Sequence, residues 1–414
     1  MNTLDIAHQQ LTKAPIPRSA QFVLGLLSRL TVGHLVVRLP SGEVRNFGDA
    51  KAELNSSAAP CAMIHMNNWN LCSAALKSGD IGFAETYISE DWTTDSLIDV
   101  LNVLVANRSV LENAVYGSWL GRLAYRFKHL LNRNSKANAR KNIHAHYDIG
   151  NAFYKLWLDH SMTYSSAIFA GDTSQSLSSA QAAKYQRVMQ ELNAKSGDSL
   201  LEIGCGWGGF AQTAALAGAT VKGLTLSTEQ LEFARNRLDK LPSGGALAQF
   251  ALQDYRDENG QYDGIASIEM FEAVGEEFWP SYFETLARNL KPGAKAVVQT
   301  ITIANELFER YRKSTDFIQQ YIFPGGMLPC PSVFESMAQK HGLKVVTRYS
   351  FGLDYAETLA RWRTQFMAQL PAVKNQGFDT PFIRTWEFYL AYCEAAFLHK
   401  NTDVMQYTLQ RQAR

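Results

Sequence analysis

Hydrophobic and polar positions follow two different patterns along the chain. From Phe22 to about residue 105, a helical pattern, short alternating strands such as HLVVRL and the helical stretch DSLIDVLNVLVA succeed one another. This mixture predicts a small α+β unit. From Ser199 onward, amphipathic helical segments separate four apolar strand runs, SLLEIG, ATVKGLTL, YDGIASIEM and AKAVVQTITI. That alternation predicts an α/β domain with a doubly wound sheet and crossover helices.

A basic amphipathic segment, WLGRLAYRFKHLLNRNSKANARKN, lies between the two regions. Its apolar residues recur at helical spacing, and no Asp or Glu occurs between Glu112 and Asp148. The interleaved cations are Arg122, Arg126, Lys128 and Arg133. One interpretation is a helix on anionic lipid headgroups, where each Lys or Arg contributes about 1 kcal/mol. The other is an interdomain helix with a solvated basic face. We expect domains over residues 1–135 and 136–414.

The composition excludes several classes of protein. With 46% hydrophobic and 19% charged residues among 414, the chain is globular and long enough for two cores. A formal net charge of +1 gives no overall attraction to nucleic acid. No stretch approaches the roughly 20 apolar residues that span a bilayer, and no signal peptide is evident. We therefore expect a soluble or peripheral protein that does not bind nucleic acid.

The cysteine pattern bears on the compartment. Five scattered cysteines form no CxxC pair, which favours reduced thiols in the cytoplasm and no metal site. They are Cys61, Cys72, Cys205, Cys330 and Cys393.

The sharpest local signal is an apolar strand that ends in a glycine-rich turn, LLEIGCGWGG, before a helix. Glycine is needed where the backbone bends sharply and approaches a ligand without an intervening Cβ. The acid two residues before the first glycine is the pattern of S-adenosylmethionine methyltransferases rather than of nicotinamide enzymes. We expect the cofactor to lie against Glu202, Gly204, Cys205, Gly206 and Gly208.

The segments around this turn resemble the cyclopropane fatty acid synthase family of S-adenosylmethionine-dependent methyltransferases. The matching segments are GDIGFAETYISEDW, HYDIGNAFYKLWLDHSMTYSS, GLTLSTEQ and LQDYRD, so the resemblance runs from about Gly79 to the C-terminus. It implies a Rossmann-like sheet in the catalytic domain. It also implies further cofactor contacts at Tyr164, Ser165, Thr225, Leu226, Gln230, Asp254 and Tyr255.

The resemblance implies transfer of a one-carbon unit to the double bond of unsaturated acyl chains in phospholipids. Attack by a π bond needs no base, but the resulting carbocation needs aromatic faces, a dry acyl-shaped cavity and a modest base. Loss of a proton from the transferred methyl closes a cyclopropane. Loss from a neighbouring chain carbon gives a methylene or methyl-branched product, which a partner reductase could saturate.

In the family a bound bicarbonate is thought to serve as the base. The resemblance assigns its support to Glu272 in SIEMFEAVG, Tyr321 in QQYIFPGGMLP and Ile301 in VVQTITI. Two positions depart from the family: Ser166 replaces a cysteine, and Gln299 replaces a histidine. Gln299 cannot carry a positive charge, so electrostatic support for an anion is weaker. Whether bicarbonate binds, and which product forms, are therefore open.

Cys393 corresponds to a C-terminal cysteine to which the resemblance gives a catalytic role. Direct transfer from a sulfonium needs no enzyme nucleophile, and a cysteine in an apolar helix is usually a small core residue. Two alternatives to the lipid-modifying enzyme also remain at this stage. One is a methyltransferase of a soluble small molecule, and the other is a non-catalytic member that binds lipid or cofactor. We expect a cytoplasmic enzyme on the inner face of the membrane, with a homodimer as one option.

Overall fold

The computed structural model describes residues 15–49, 60–115, 149–240 and 246–412. The basic segment from Arg122 to Arg133 and the predicted domain boundary at residue 135 lie outside these ranges, so both stay predictions. The chain divides into two compact units. In the described part, the first unit consists of residues 15–49, 60–115, 314–320 and 377–399, and the second of the remainder.

The N-terminal part of the chain forms a small four-stranded sheet with helices. Its elements are α1 (Arg18–Leu27), β1 (His34–Arg38), β2 (Val44–Gly48), β3 (Cys61–Met66), α2 (Asn70–Ser78), α3 (Asp80–Ile88), β4 (Trp92–Thr93), α4 (Leu97–Ala106) and α5 (Arg108–Val115). The strand order is β2-β1-β3-β4, with β1 antiparallel to β2 and parallel to β3. Strand β3 alternates half-buried and buried positions, as expected for one covered face. This is the α+β unit that the sequence predicts.

Helices and strands alternate through the rest of the chain. The elements are α6 (Asn151–Tyr154), α7 (Leu177–Leu192), β5 (Ser199–Ile203), α8 (Gly209–Leu216), β6 (Thr220–Thr225), α9 (Thr228–Leu238), β7 (Ala248–Leu252), β8 (Tyr262–Ile268), α10 (Trp279–Asn289), β9 (Leu290–Ile303), α11 (Asn305–Tyr311), α12 (Phe317–Tyr321), α13 (Pro331–Lys340), β10 (Leu343–Ser350), α14 (Gly352–Ala368), α15 (Leu370–Asn375), α16 (Thr380–Leu398) and β11 (Thr402–Arg411).

Seven strands of the second unit form one sheet in the order β10-β11-β9-β8-β5-β6-β7. The five strands from β9 to β7 are parallel, and β11 runs antiparallel to both β9 and β10. The chain moves outward from β5 to β7 and then returns to the other side of β5 at β8. The topological switch point therefore lies between β5 and β8, where ligands bind in such sheets. The predicted doubly wound sheet is confirmed.

Buried strands and capped helices explain why this segment folds as it does. Leu200, Leu201 and Ile203 of β5 are each at most 1% exposed, because helices cover both faces of the parallel sheet. Helix α9 begins after Ser227, whose hydroxyl accepts a hydrogen bond from the Gln230 N–H. These two features hold the first two βα turns of the sheet in place.

Helix α16 belongs to the first unit, although the sequence assigned residues 136–414 to one domain. Its packing on α3 explains the difference. Tyr87 donates a hydrogen bond of 2.7 Å to Glu387, and the rings of Phe83 and Phe388 lie 6.1 Å apart. Arg384 also pairs with Glu90 at 3.3 Å. Such long-range contacts cannot be read from local pattern. Among the described residues, no helix has the length and apolar content that crossing a membrane requires.

Candidate active site

The glycine-rich turn after β5 is built from left-handed glycine conformations. Gly204 and Gly208 both have φ of +81°. An added Cβ would lie 2.8 Å from the Met270 Cγ at Gly204, and 3.0 Å from the Phe250 ring at Gly208. The N–H groups of Gly204 and Cys205 both donate to the Leu224 carbonyl, at 3.0 and 2.8 Å. The turn is therefore tied to β6, and positions 204 and 208 require glycine.

Gly206 differs from its neighbours because open space lies in front of it. Its φ is +50°, and an added Cβ would meet no heavy atom within 4 Å. Behind the turn, burial raises the pKa of Glu202 well above its usual range. Its Oε2 is buried without a hydrogen-bond partner among the described residues. An open backbone turn at the carboxyl end of β5 fits a bound S-adenosylmethionine, as the sequence predicts.

The other predicted cofactor residues follow the next two strands. The Thr225 hydroxyl donates to the Gln230 side-chain oxygen at 3.0 Å and accepts from the Ser227 N–H at 3.1 Å. Leu226 beside them is half-buried. This arrangement holds the end of β6 against the start of α9. The roles of Thr225, Leu226 and Gln230 toward a cofactor stay predictions.

Asp254 and Tyr255 follow β7 at the start of a 3₁₀ turn. The Asp254 carboxylate accepts from the Arg256 N–H at 2.9 Å and forms a bidentate pair with its guanidinium, at 2.8 and 2.6 Å. The Tyr255 ring packs against Tyr282, with centroids 5.7 Å apart. Asp254 thus caps the turn, and its predicted contact with the adenine stays a prediction.

Tyr164 and Ser165 lie in the segment that precedes the sheet. Tyr164 belongs to an aromatic cluster, with ring centroids 5.5 Å from Tyr154, 5.6 Å from Trp157 and 5.3 Å from Trp362. Ser165 is buried, and its hydroxyl accepts a hydrogen bond of 2.5 Å from the Lys184 ammonium. Aromatic faces of this kind are what a carbocation or sulfonium needs.

A carboxylate absent from the predictions, Glu269, stands at the end of β8. It accepts hydrogen bonds from three donors: the Ser166 N–H at 2.8 Å, the Gln299 Nε2 at 2.7 Å and the Tyr355 hydroxyl at 2.7 Å. Burial raises the pKa of Glu269, while the charge of Lys184 and these hydrogen bonds oppose the rise. Its backbone has φ of +49°, a conformation that few residues other than glycine adopt.

Gln299 is oriented by a second glutamine. Its side-chain oxygen accepts a hydrogen bond of 2.9 Å from the Gln406 Nε2, so its own NH₂ group points to Glu269. Both glutamines are buried and are directly opposite each other on β9 and β11. The Gln299 carbonyl also accepts from the Glu269 N–H at 2.8 Å. Gln299 is therefore fixed as a neutral donor to a carboxylate.

Glu272 lies three residues further on and has a different environment. Its Oε1 accepts from the Ile301 N–H, whereas its Oε2 is buried without a partner among the described residues. Burial raises the pKa of Glu272 to about 8, and the neighbouring charge of Glu269 adds to the rise. At neutral pH this carboxyl is mostly protonated.

Lys184 supplies the positive charge near this pair. It is fully buried, and burial lowers its pKa to about 7, against the opposing effects of Glu269, Asp159 and Glu202. A lysine without nearby carboxylates would be costly to bury in its charged form.

Two predicted catalytic residues are placed differently. Tyr321 ends the short helix α12 and is 41% exposed. Cys393 lies on α16 in the first unit, whereas Glu272, Gln299, Ser166 and Ile301 lie in the second. Burial raises the pKa of the Cys393 thiol far above its usual range, which disfavours a thiolate nucleophile. The role assigned to Cys393 has no support from this environment.

Sequence reasoning missed four members of the buried cluster: Lys184, Glu269, Tyr355 and Gln406. Glu269 could have been found from the sequence, because it ends an apolar strand within the SIEMFE segment and precedes Glu272 by three residues. The other three had no local signal, since each reaches the cluster from a distant element.

Residues 134–407 match the family model described as mycolic acid cyclopropane synthetase. The chain belongs to this family. The tuberculostearic acid methyltransferase UfaA1 of Mycobacterium tuberculosis is 35% identical over 97% of this chain and 94% of its own length. The cyclopropane-fatty-acyl-phospholipid synthase of Escherichia coli strain K12 is 33% identical over 86% of this chain and 90% of its own.

Solved structures agree with these relatives. The mycolic acid cyclopropane synthase CmaA1, complexed with SAH and CTAB, superposes with a TM-score of 0.61 at 29% identity. The match covers 66% of this chain and 98% of that one. Family membership confirms the predicted class, a S-adenosylmethionine-dependent methyltransferase of unsaturated acyl chains. The roles of the individual site residues stay predictions.

Proposed function

We propose that this enzyme transfers a one-carbon unit from S-adenosylmethionine to the double bond of unsaturated acyl chains in membrane phospholipids. One observation carries the proposal: the open turn at Gly206 and the carboxyls of Glu269 and Glu272 follow adjacent strands, β5 and β8, of one sheet. A methyl donor on the turn and a proton acceptor beside it are what alkene methylation requires.

The chemistry assigns each group a task. The alkene π electrons form the new C–C bond while the electrons of the donor's C–S bond return to sulfur. The cation left on the acyl chain is stabilised by an aromatic face, for which the half-buried Tyr164, packed on Trp157 and Trp362, is suited. A carboxylate then removes a proton, which gives either a ring or a methylene-branched chain.

The proposal also specifies that a phospholipid carries the acyl chain. It is supported by the relative from Escherichia coli, whose name specifies a fatty acyl phospholipid. The names of the relatives include a tuberculostearic acid methyltransferase and cyclopropane synthases. A reductase partner is needed only for a saturated, methyl-branched product.

Peripheral association with the membrane is a further part of the proposal. It rests on the basic segment, which lies outside the described residues. Replacing Arg122, Arg126, Lys128 and Arg133 by Gln should weaken sedimentation with anionic vesicles and remove most of its salt dependence. Unchanged sedimentation would leave the solvated interdomain helix as the better interpretation.

The function is tested by expressing the chain in a host without its own cyclopropane synthase and analysing total fatty acids by mass spectrometry. The proposal predicts phospholipid acyl chains one CH₂ unit heavier, as ring or branched species. Cells expressing Gly206→Val at equal level should lack them. Unmodified lipids despite folded, S-adenosylmethionine-binding protein would instead favour a soluble acceptor or a non-catalytic protein.

A further inference from the structure

Two of the groups that the sequence assigned to hold an external anion, at Ser166 and Gln299, already hold a carboxylate of the chain, together with Tyr355. The Ser166 N–H and the Gln299 NH₂ both donate to Glu269 Oε1, and the Tyr355 hydroxyl donates to Oε2. Ser166, Gln299 and Tyr355 are each at most 6% exposed. Three donors directed at the two oxygens of one carboxylate form an anion site, and Glu269 occupies it.

The backbone at Glu269 brings the carboxylate to these donors at an energetic cost. Its φ of +49° lies in the left-handed region, which costs a non-glycine residue on the order of 1 kcal/mol. The Glu269 N–H bonds the Gln299 carbonyl at 2.8 Å, which keeps β8 and β9 paired through the strained residue. Such a conformation persists where the surrounding structure determines the position of the side chain.

The replacement of histidine by Gln299 suits an internal carboxylate. A neutral amide whose oxygen is occupied by Gln406 presents only its NH₂ group, so it donates without neutralising the charge of Glu269. A carboxylate that kept a full ion pair with an imidazolium would be a weaker base. The Lys184 ammonium donates its hydrogen bond to Ser165, and its charge acts on Glu269 without a direct hydrogen bond between them among those described.

We propose that Glu269 is the proton acceptor of the methylation reaction and that its carboxylate stands in place of a bound bicarbonate. The inference rests on the proposed function. After the new C–C bond forms, a C–H bond of the cationic acyl chain breaks and its proton moves to Glu269. The electron pair of that bond closes the ring or forms the new double bond, and the proton then passes to solvent.

The environment of the neighbouring Glu272 supports the choice of Glu269 as the base. When two carboxyls lie close together, their pKa values differ. The carboxyl with fewer hydrogen-bond donors has the higher pKa and takes up the proton. Glu272 Oε1 accepts from the Ile301 N–H, its Oε2 has no partner among the described residues, and its pKa is raised to about 8. Glu269 has three donors. Burial also raises the pKa of Glu269, but these donors and the charge of Lys184 oppose that rise, so Glu269 is the better placed of the two carboxyls to act as a base.

The first test measures turnover of purified enzyme on vesicles of unsaturated phospholipid with S-adenosylmethionine, with and without bicarbonate in CO₂-free buffer. Wild-type rates should be equal in both. Glu269→Gln should lower kcat about 100-fold or more while S-adenosylmethionine affinity stays near normal. The matched control is Glu306→Gln, an exposed glutamate in the first turn of α11, which should keep the wild-type rate.

A second variant separates catalysis from a structural role. Glu269→Gly removes the carboxylate and suits the local φ of +49°. Added bicarbonate or formate can then enter the vacated anion site, and it should raise the rate of this variant about tenfold or more, as restoration of a base would. A group that only held the fold together would not be replaced by a small diffusible anion.

Three results would overturn the inference. They are bicarbonate stimulation of the wild type, full activity of Glu269→Gln, and a Glu269→Gly enzyme that binds S-adenosylmethionine normally but is not rescued. If the wild type itself modifies no unsaturated lipid, the proposed function fails instead.

Discussion

The two parts of the site, the glycine turn after β5 and the carboxyl cluster after β8, are built in opposite ways. The turn is a run of consecutive residues, from Glu202 to Gly208, whose backbone shape depends on its own glycines. The cluster collects donors that lie 103, 30 and 86 positions from Glu269 in the sequence. Both stand at the carboxyl ends of neighbouring strands, so one sheet supports a local element and an assembled one.

This difference in construction matches a difference in task. A backbone turn with open space in front of it does not need an ionised side chain to bind a ligand. Proton removal needs a carboxylate with a controlled charge, which only surrounding donors and burial can provide. Damage to the turn should therefore affect binding, and damage to the cluster should affect turnover.

The largest effect is expected at the turn. Gly206→Val should reduce S-adenosylmethionine affinity about 100-fold or more, because its side chain enters the open space and its φ of +50° disfavours a branched residue. Gly293→Val is the matched control, since it has φ of +79° and equally open surroundings. Isothermal titration should show normal affinity for the control. Normal affinity for Gly206→Val would remove the turn from the binding site.

The next effect concerns stability and pH. The folded pKa of Glu272 is about 8 against 4.5 in its ordinary state, so the folded protein binds the extra proton between these values. Wild-type stability therefore falls as pH rises from 4.5 to 8, and Glu272→Gln lacks this loss. With allowance for partial exposure, the variant should gain about 1–3 kcal/mol over wild type above pH 8. Denaturant unfolding at pH 5 and pH 8.5 measures the difference in unfolding free energy between the variant and wild type. The same difference at both pH values would contradict the prediction.

A smaller effect on activity is expected from the same substitution. Because Glu272 is mostly protonated at pH 7, an amide resembles its neutral form, and kcat should fall about tenfold or less. Glu269→Gln in the same assay should fall much further. The reverse order of the two variants would make Glu272 the base and Glu269 its support.

The smallest effect is expected at Gln299. A histidine there loses the hydrogen bond from Gln406 and can carry a charge beside Glu269, so it should change the ratio of ring to branched product or the response to bicarbonate. Substrate affinity should change by less than about threefold, because Gln299 is buried behind the carboxylate. Identical products and bicarbonate response in Gln299→His would make Gln299 a packing neighbour.

Sequence reasoning reached the parts of the fold that local pattern determines. The strand runs predicted β5, β6, β8 and β9, and the segment EIGCGWG predicted the glycine-rich turn after β5. It did not assign α16 to the first unit, because that placement depends on contacts such as Tyr87 with Glu387 across 300 positions. Local periodicity carries no information about such distances.

The carboxyl cluster shows the same limit. The sequence singled out Ser166, Gln299 and Ile301, but it could not tell which acceptor each would meet. In the structure the first two donate to Glu269 and the third to Glu272. Hydrogen-bond partners depend on strand register and on side chains that reach in from α7 and α14, so only the folded structure reveals them.

In this interpretation the turn binds S-adenosylmethionine and the carboxyl cluster removes the proton. This interpretation is tested most directly by measuring the S-adenosylmethionine Kd and the single-turnover rate at saturating donor for Gly206→Val and Glu269→Gln. For Gly206→Val we expect a Kd about 100-fold higher or more. For Glu269→Gln we expect a Kd within about twofold of wild type and a rate about 100-fold lower or more. A Glu269→Gln enzyme whose affinity falls in parallel with its rate, or whose rate is normal, would contradict it.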